Sequence, residues 1–379
     1  MNSDYRIYNI YYMLAYAFDD SKMNNIEESK VNAEKFKYIY DLFAFMLTNI
    51  TGKLIKRGLF KNYINESDEL NTVKGRINLT ESIKKNTFTN KKLVCEYDDY
   101  SENNYLNQII KTTIYYLLSS NKLTKKYSDD LKKVYSLLNT IDMLNNISLI
   151  RWDAIIYNRN NRNYKFIINL CYMIINGLLV NKYGGNVELM DFINGKTLSS
   201  LFESFVRKYY QVEYKGKLTA SGETINWQIN EEYENNKMID LLPQMHTDIT
   251  LRHGNKELII DTKFYDKTIS KSGFNGSEKE TIKSNNWYQI NSYVTNKVYE
   301  YNKQNINIEV AGMLLYAKTD EEISPDIETK VMGSKMYVKT IDLNTNFKNI
   351  EKQLYEIGLL VNNNLKERIG SLSNSVCEQ

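Results

Sequence analysis

Apolar positions recur at helical spacing over the first part of the chain. Tyr5–Phe18 and Ala33–Leu54 read as helices. Between Leu59 and Tyr100 the pattern shortens into strand-like pieces: FKNYINES, TVKGRINL and KLVCEYDDY. A helical LTESIKKN interrupts them, so this stretch predicts a small sheet or barrel. Helical periodicity returns in Tyr105–Leu118, Asp129–Leu138 and Phe166–Leu179. The Gly-Gly break in Lys182–Val187 (KYGGNV) marks a boundary.

Beyond the boundary the order is more regular. Thr197–Tyr210 reads as a helix and Thr224–Asn230 as a strand, and a hairpin follows over Met245–Tyr265. A loop of Lys, Ser and Gly spans Asp266–Ser277. Then come a helix at Asn286–Tyr301, strands at Ile308–Ala317 and Met336–Leu343, and a helix at Ile350–Leu360. The expected fold is α/β, α+β overall. Residues 1–187 form a mainly helical domain with a small β insertion. Residues 188–370 form a mixed sheet with helices on both sides, and 371–379 are a polar tail.

The hairpin carries the chemistry. Gly254-Asn255 is a two-residue turn signal. That turn places Asp248 opposite Asp261 and His246 opposite Lys263. Alternation then separates two faces. One holds Met245, Thr247, Ile249 and Leu251 with Leu258, Ile260, Thr262 and Phe264, and is nearly all apolar. The other holds His246, Asp248, Thr250 and Arg252 with Glu257, Ile259, Asp261 and Lys263, and is mostly polar. Two carboxylates that close repel unless one is protonated or a cation lies between them. Mg2+ suits such a pair, because it takes one or two carboxylates and keeps waters and substrate phosphates as its other ligands. Lys263 points the same way as Asp261, and an ammonium beside a metal stabilises charge on a phosphate. The plainer alternative is a solvated face on which Lys263 neutralises one aspartate.

Further candidates surround this set. Gln289 and Tyr293 lie one helical turn apart, placed to order Lys263 or touch a phosphate; the bland alternative is surface polarity. Glu203, in SLFESFVRKYY, is either a further metal-directed carboxylate or the i,i+4 partner of Arg207. Two histidines, His246 and His253, do not make a metal centre, and no Ser/His/Asp triad can be built. Gly195-Lys196-Thr197 ends a GKT, but Met190 stands where a Walker A loop needs its first glycine, which argues against nucleotide binding.

Composition sets outer limits. The 379 residues allow two or three domains, and 42% hydrophobic with 25% charged residues suits a globular chain with a sizeable core. The net charge of +3 announces no polyanion, so any basic surface must be local. Cys95, Cys171 and Cys377 match no zinc or disulfide spacing, which points to a reduced, cytoplasmic setting. No apolar run is long enough for a bilayer, and IYYMLAYAF (Ile10–Phe18) reads as a buried helix.

Asp248, Asp261-Thr262-Lys263 and Gln289-xxx-Tyr293 together resemble the active site of PD-(D/E)xK nucleases in their RecB-like form. The resemblance lengthens with NIYYMLAYAF, VKGRINLTESI, SENNYLNQIIKTTI, LFESFVRKYY, LLPQMHTDITL, LIIDTKFY, YQINSYV and GMLLYAK. In this order they are similar to McrC, the nuclease subunit family of McrBC modification-dependent restriction systems. The resemblance implies a Mg2+-dependent DNA endonuclease that works with a McrB-like AAA+ GTPase hexamer on double-stranded DNA carrying modified cytosine. It implies that Asp248, Asp261, the Thr262 carbonyl and, less uniformly in the family, Glu203 face the metal. Lys263 would orient the attacking water, with Gln289 and Tyr293 positioning the lysine or the backbone. The amino-terminal domain would dock on the motor and stimulate its GTPase. Two rivals stand beside this: a catalytically silent adaptor of a GTPase, and a stand-alone repair nuclease.

Overall fold

The computed structural model describes residues 5–17, 36, 38–180, 195–229, 237–265, 269–272, 279–318 and 324–367. The chain divides into two compact units, residues 37–182 and residues 1–36 together with 183–379. This differs from the expected division into 1–187 and 188–370. The reason is helix α1 (Tyr5–Ala17). Its buried face belongs to the carboxy-terminal unit: Tyr16 donates to Glu213 (2.9 Å), Asn9 donates to the Leu343 carbonyl (2.7 Å), and Tyr12 stacks on Phe347. Ile10–Ala17 of IYYMLAYAF is thus a buried helix, as read, but of the other unit, and Phe18 lies outside the described residues. The expected polar tail lies outside the described residues.

In the unit 37–182, helix α2 (Ile39–Arg57) leads into strand β1 (Asn62–Leu70). Short β2 (Arg76–Ile77) and helix α3 (Leu79–Lys84) precede β3 (Leu93–Ser101). Both strands pair antiparallel with β3, giving an open three-stranded sheet, not a barrel. Helices α4 (Tyr105–Ser119), α5 (Lys125–Leu137) and α6 (Lys165–Val180) complete the unit. A buried polar clip joins them. Tyr164 accepts from the Phe60 N–H (2.8 Å) and donates to Asn107 (2.9 Å), which itself donates to the Phe60 carbonyl (3.0 Å).

The other unit is built on a six-stranded mixed sheet. Its strands are β4 (Thr219–Ser221), β7 (Ile249–His253), β8 (Lys256–Lys263), β11 (Glu309–Ala317), β12 (Ile327–Val331) and β13 (Ser334–Ile341). Their order is β12-β13-β11-β8-β7-β4. Strands β8, β11 and β13 run parallel, and the outer pairs are antiparallel. Helix α7 (Gly195–Glu213) and helix α9 (Phe347–Val361) cover one face. Helix α8 (Ser284–Lys303), the crossover between β8 and β11, covers the other. Its Ile290 and Val294 pack on Ile259, Leu314, Met336 and Val338. The face that alternation marks as polar is therefore buried, and Thr250, Glu257 and Asp261 are buried with it.

Smaller elements depart from expectation. The strand predicted over Thr224–Asn230 is limited to β5 (Thr224–Ile225), which pairs with β6 (Met245–His246). The predicted loop Asp266–Ser277 contains β9 (Ile269–Ser272), paired with β10 (Lys279–Ile282), while 266–268 and 273–278 lie outside the described residues.

Candidate active site

The register expected from the Gly254-Asn255 turn forms near the turn. Ile249 faces Ile260, Leu251 faces Leu258, and His253 faces Lys256. Gly254 has φ +58°, a conformation that costs L side chains energy. Beyond Ile260 the expectation fails, because β6 pairs with β5 and not with β8. Asp248 sits at a bend one residue before β7, so Asp248 and Asp261 are not ladder partners. His246 does not reach Lys263. It is exposed, with its ring nitrogens on Thr224 and Gln244.

The parting of the strands does not separate the aspartates from one site. Asp248 Oδ2 accepts from the Thr262 N–H (2.7 Å) and from the Thr262 hydroxyl (2.8 Å). Two donors on one carboxylate oxygen fix its direction. Asp261, 1% exposed, stands at the preceding position of β8. Lys263 Nζ lies 2.7 Å from Asp261 Oδ2 and sets its charge against that buried oxygen. Lys263 also donates to Gln289 Oε1 (3.1 Å), and Gln289 Nε2 donates to the Tyr293 hydroxyl (2.9 Å). Helix α8 brings Gln289 and Tyr293 to the lysine because their shared face meets β8.

Glu203 enters through Arg207. Arg207 Nη1 donates to Glu203 Oε1 (3.0 Å) and to the Asp248 carbonyl (2.9 Å). The expected i,i+4 pair forms, and it touches the site all the same. Arg207's second bond is the feature that sequence reasoning missed. The spacing to Glu203 was visible, but nothing in the sequence points a guanidinium at a backbone carbonyl 41 residues away. Thr262 was marked for its carbonyl; its N–H and hydroxyl, which hold Asp248, were not foreseen.

The electrostatics follow burial. Asp261 is pushed up to about 6, first by burial and then by Asp248 and Glu203, with Lys263 pulling the other way. Glu203 is raised by burial and by Asp248, against Arg207. Burial works to lower Lys263, but the charge and contact of Asp261, with Tyr265 and Asp248, together outweigh it, and the lysine stands above its ordinary value. Tyr293 is raised, chiefly by burial. Lys263 is therefore a fixed cation, not a base. The carboxylates carry more negative charge than their surroundings compensate. A buried Asp261 that meets one ammonium and is pushed up by Asp248 and Glu203 fits a hard divalent cation that takes two carboxylates and completes its shell with water. No group of three or more His, Cys, Asp or Glu side chains among the described residues is placed to hold a metal by itself.

Gly195-Lys196-Thr197 opens helix α7, and Met190 and Asn194 lie outside the described residues. Among the described residues no helix is long and apolar enough to cross a membrane.

Comparison with known proteins places the chain. It is 28% identical over 353 residues to the type IV methyl-directed restriction enzyme EcoKMcrBC of Escherichia coli K12, covering 92% of this chain and 96% of the relative. Solved structures also align with it, among them two from one organism. One is a half-complex of McrB AAA+ hexamers with bound McrC from Thermococcus gammatolerans, at 13% identity and a TM-score of 0.48 over 93% of this chain and 75% of that one. The other is the McrBC complex of the same organism, at 15% identity and a TM-score of 0.38 over 55% and 58%. A model of the McrBC 5-methylcytosine restriction system component family matches residues 3–317, and the chain belongs to that family.

Proposed function

We propose that this chain is the DNA-cutting subunit of a McrBC-like restriction system, a Mg2+-dependent endonuclease of the PD-(D/E)xK type. The observation that carries the reading is the Asp261–Lys263–Gln289–Tyr293 chain of contacts set beside Asp248, with Asp261 buried. Three carboxylates, Asp248, Asp261 and Glu203, stand against two cations, Lys263 and Arg207, an excess of negative charge that a divalent cation would relieve.

Asp248 and Asp261 would hold the cation, with the Thr262 carbonyl and Glu203 as further oxygen donors. The ion would supply a polarised phosphate and a more acidic water. The chain's own residues do the rest. Thr262 holds Asp248 in one orientation through two hydrogen bonds. Lys263, kept protonated by Asp261, offers a fixed positive charge to the pentavalent phosphate as negative charge develops on it. Gln289 accepts from Lys263 and so fixes where that charge lies, and Tyr293 fixes Gln289.

The partner would be a McrB-like AAA+ GTPase hexamer, as in the archaeal assemblies, with residues 37–182 as the docking unit that stimulates it. The substrate would be duplex DNA with methylated cytosine, and the compartment the cytoplasm. The deciding experiment is plasmid cleavage, methylated against unmethylated, with Mg2+ and GTP, with and without the motor. Cutting that needs methylation, GTP and motor supports the reading. Cutting by this chain alone points to an autonomous nuclease. GTPase stimulation without any cutting points to a silent adaptor.

A further inference from the structure

Arg207 is tied down by only one of its three nitrogens. Both protons of Nη1 are spoken for, one by Glu203 Oε1 and one by the Asp248 carbonyl. No residue among those described accepts from Nη2 or Nε. The side chain is 27% exposed, so these donors are not sealed in the core. A guanidinium has five N–H donors in a rigid fork, and here three of them have no protein acceptor.

The position is built, not incidental. A Cβ added at Gly222 would stand 3.0 Å from Arg207 Nη1 and 3.2 Å from the Thr247 carbonyl. A side chain at residue 222 would therefore press on the guanidinium and displace it by a few tenths of an ångström. Glu203 and the Asp248 carbonyl hold the fork from two elements, helix α7 and the bend before β7. That anchoring removes the rotamer entropy that a free arginine would lose on binding a ligand.

The surroundings say what the free donors would meet. Asp248, Asp261 and Glu203 give three negative charges against the two positive charges of Lys263 and Arg207. A divalent cation would turn that net of one negative into one positive, and the site would then attract an anion. The two protein cations approach from different elements, Lys263 from β8 and Arg207 from α7. A planar fork with free parallel N–H groups matches two oxygens of one phosphate, a geometry that a lysine cannot copy.

We infer that Arg207 is a substrate-binding residue, anchored through Nη1 and binding a backbone phosphate of the DNA through Nη2 and Nε. This inference rests on the DNA-cutting reading and deepens it. It makes Arg207 more than the ion-pair partner of Glu203. It also gives the site two phosphate contacts of different kinds: a point charge from Lys263 and a directional clamp from Arg207.

The test is equilibrium binding of a labelled DNA duplex to the full chain, by fluorescence anisotropy, with Ca2+ in place of Mg2+ to prevent cutting, across a series of NaCl concentrations. Arg207→Ala is expected to weaken binding about tenfold or more, the loss of a charge-assisted phosphate contact. It should also make the plot of log affinity against log salt shallower by about 0.9, one phosphate contact fewer. Arg207→Lys keeps a charge in place. It should retain the wild-type slope and still bind less tightly, because the fork is gone. Circular dichroism and the melting midpoint establish that each variant is folded. Wild-type affinity and slope in Arg207→Ala, even with cutting lost, would overturn the inference and leave Arg207 as a support for Asp248. Absence of duplex binding by the wild type would overturn the inference, and plasmid cleavage with the motor present would then decide the DNA-cutting reading separately. Expected binding shifts in a chain that never cuts, motor present, would support Arg207 and sink the nuclease reading alone.

Discussion

The two ends of one hairpin are held in different ways. Near the turn, Ile249–His253 and Lys256–Ile260 form a regular antiparallel ladder. Toward the open end the ladder stops. Asp248 lies at a bend, β6 leaves to pair with β5, and β8 runs on against β11 alone. There side-chain bonds replace strand pairing, as Thr262 and Arg207 hold Asp248 through its carboxylate and its carbonyl. The difference teaches why the site lies where it does. Like charges directly opposite in a ladder repel at close range. Parting the strands takes Asp248 out of the ladder and hands its orientation to replaceable side chains.

The sharpest way to break this comparison is Asp261→Asn. Cleavage should fall by a thousandfold or more, on the order of the loss of a principal electrostatic element. Stability should move the other way. Asp261 is raised from 3.8 to about 6 in the fold, so its neutral form is the favoured one there. The stability it contributes is whole below pH 3.8 and is lost as pH rises through about 6. Without metal, the asparagine variant should therefore be more stable by about 3 kcal/mol above that range, and no more stable below pH 3.8. Thermal melts across pH with a chelator present check this. A variant less stable than wild type at pH 8 would mean that Lys263 compensates Asp261 fully.

Lys263→Gln ranks next. Loss of a fixed charge next to the phosphate should slow single-turnover cutting on the order of a hundredfold. The slowed rate should show no new ionisation near neutrality, since the wild-type lysine stays protonated. A bell-shaped pH profile that depends on Lys263 would instead make it a base. Thr262→Val acts more gently. It removes the hydroxyl donor to Asp248 and keeps the N–H, so one of two bonds on Oδ2 survives. A charge-assisted bond is worth roughly 1.5–3 kcal/mol. The variant should need several-fold more Mg2+ for half-maximal cutting at little change in the saturated rate. A fall in the saturated rate with unchanged Mg2+ demand would place Thr262 elsewhere in the reaction.

The same contrast divides what the sequence makes legible from what it hides. Alternation and Gly254-Asn255 give the register of the paired half, because period-two burial and turn chemistry are local. Asp-x-Lys and the four-residue spacing of Gln289 and Tyr293 place side chains on shared faces for the same reason. The parting at Asp248 is not local. It depends on β5 capturing β6, two residues from each strand. Nor does alternation reveal that the polar face of the hairpin is roofed by α8, since Ile290 and Val294 reach it only through the crossover. The edge strand β12 escapes notice because its residues are mostly exposed and carry no burial pattern. The assignment of α1 to the carboxy-terminal unit hangs on contacts such as Asn9 with Leu343, 334 residues apart.

The smallest effect is the one that tests the division itself. Gly254 has φ +58°, and a Cβ there would meet nothing within 4 Å, so Gly254→Ala costs backbone strain without a clash. The expected loss is about 1 kcal/mol. The melting midpoint should fall by a few degrees. The turn belongs to the paired half, and the carboxylates are held from outside that half, by Thr262 farther along β8 and by Arg207 of α7. The cutting rate at temperatures well below the melt, and the Mg2+ concentration for half-maximal cutting, should both stay at their wild-type values. If the rate falls along with the midpoint, the open end takes its geometry from the turn. The side-chain clamps on Asp248 would then be consequences of the ladder and not substitutes for it.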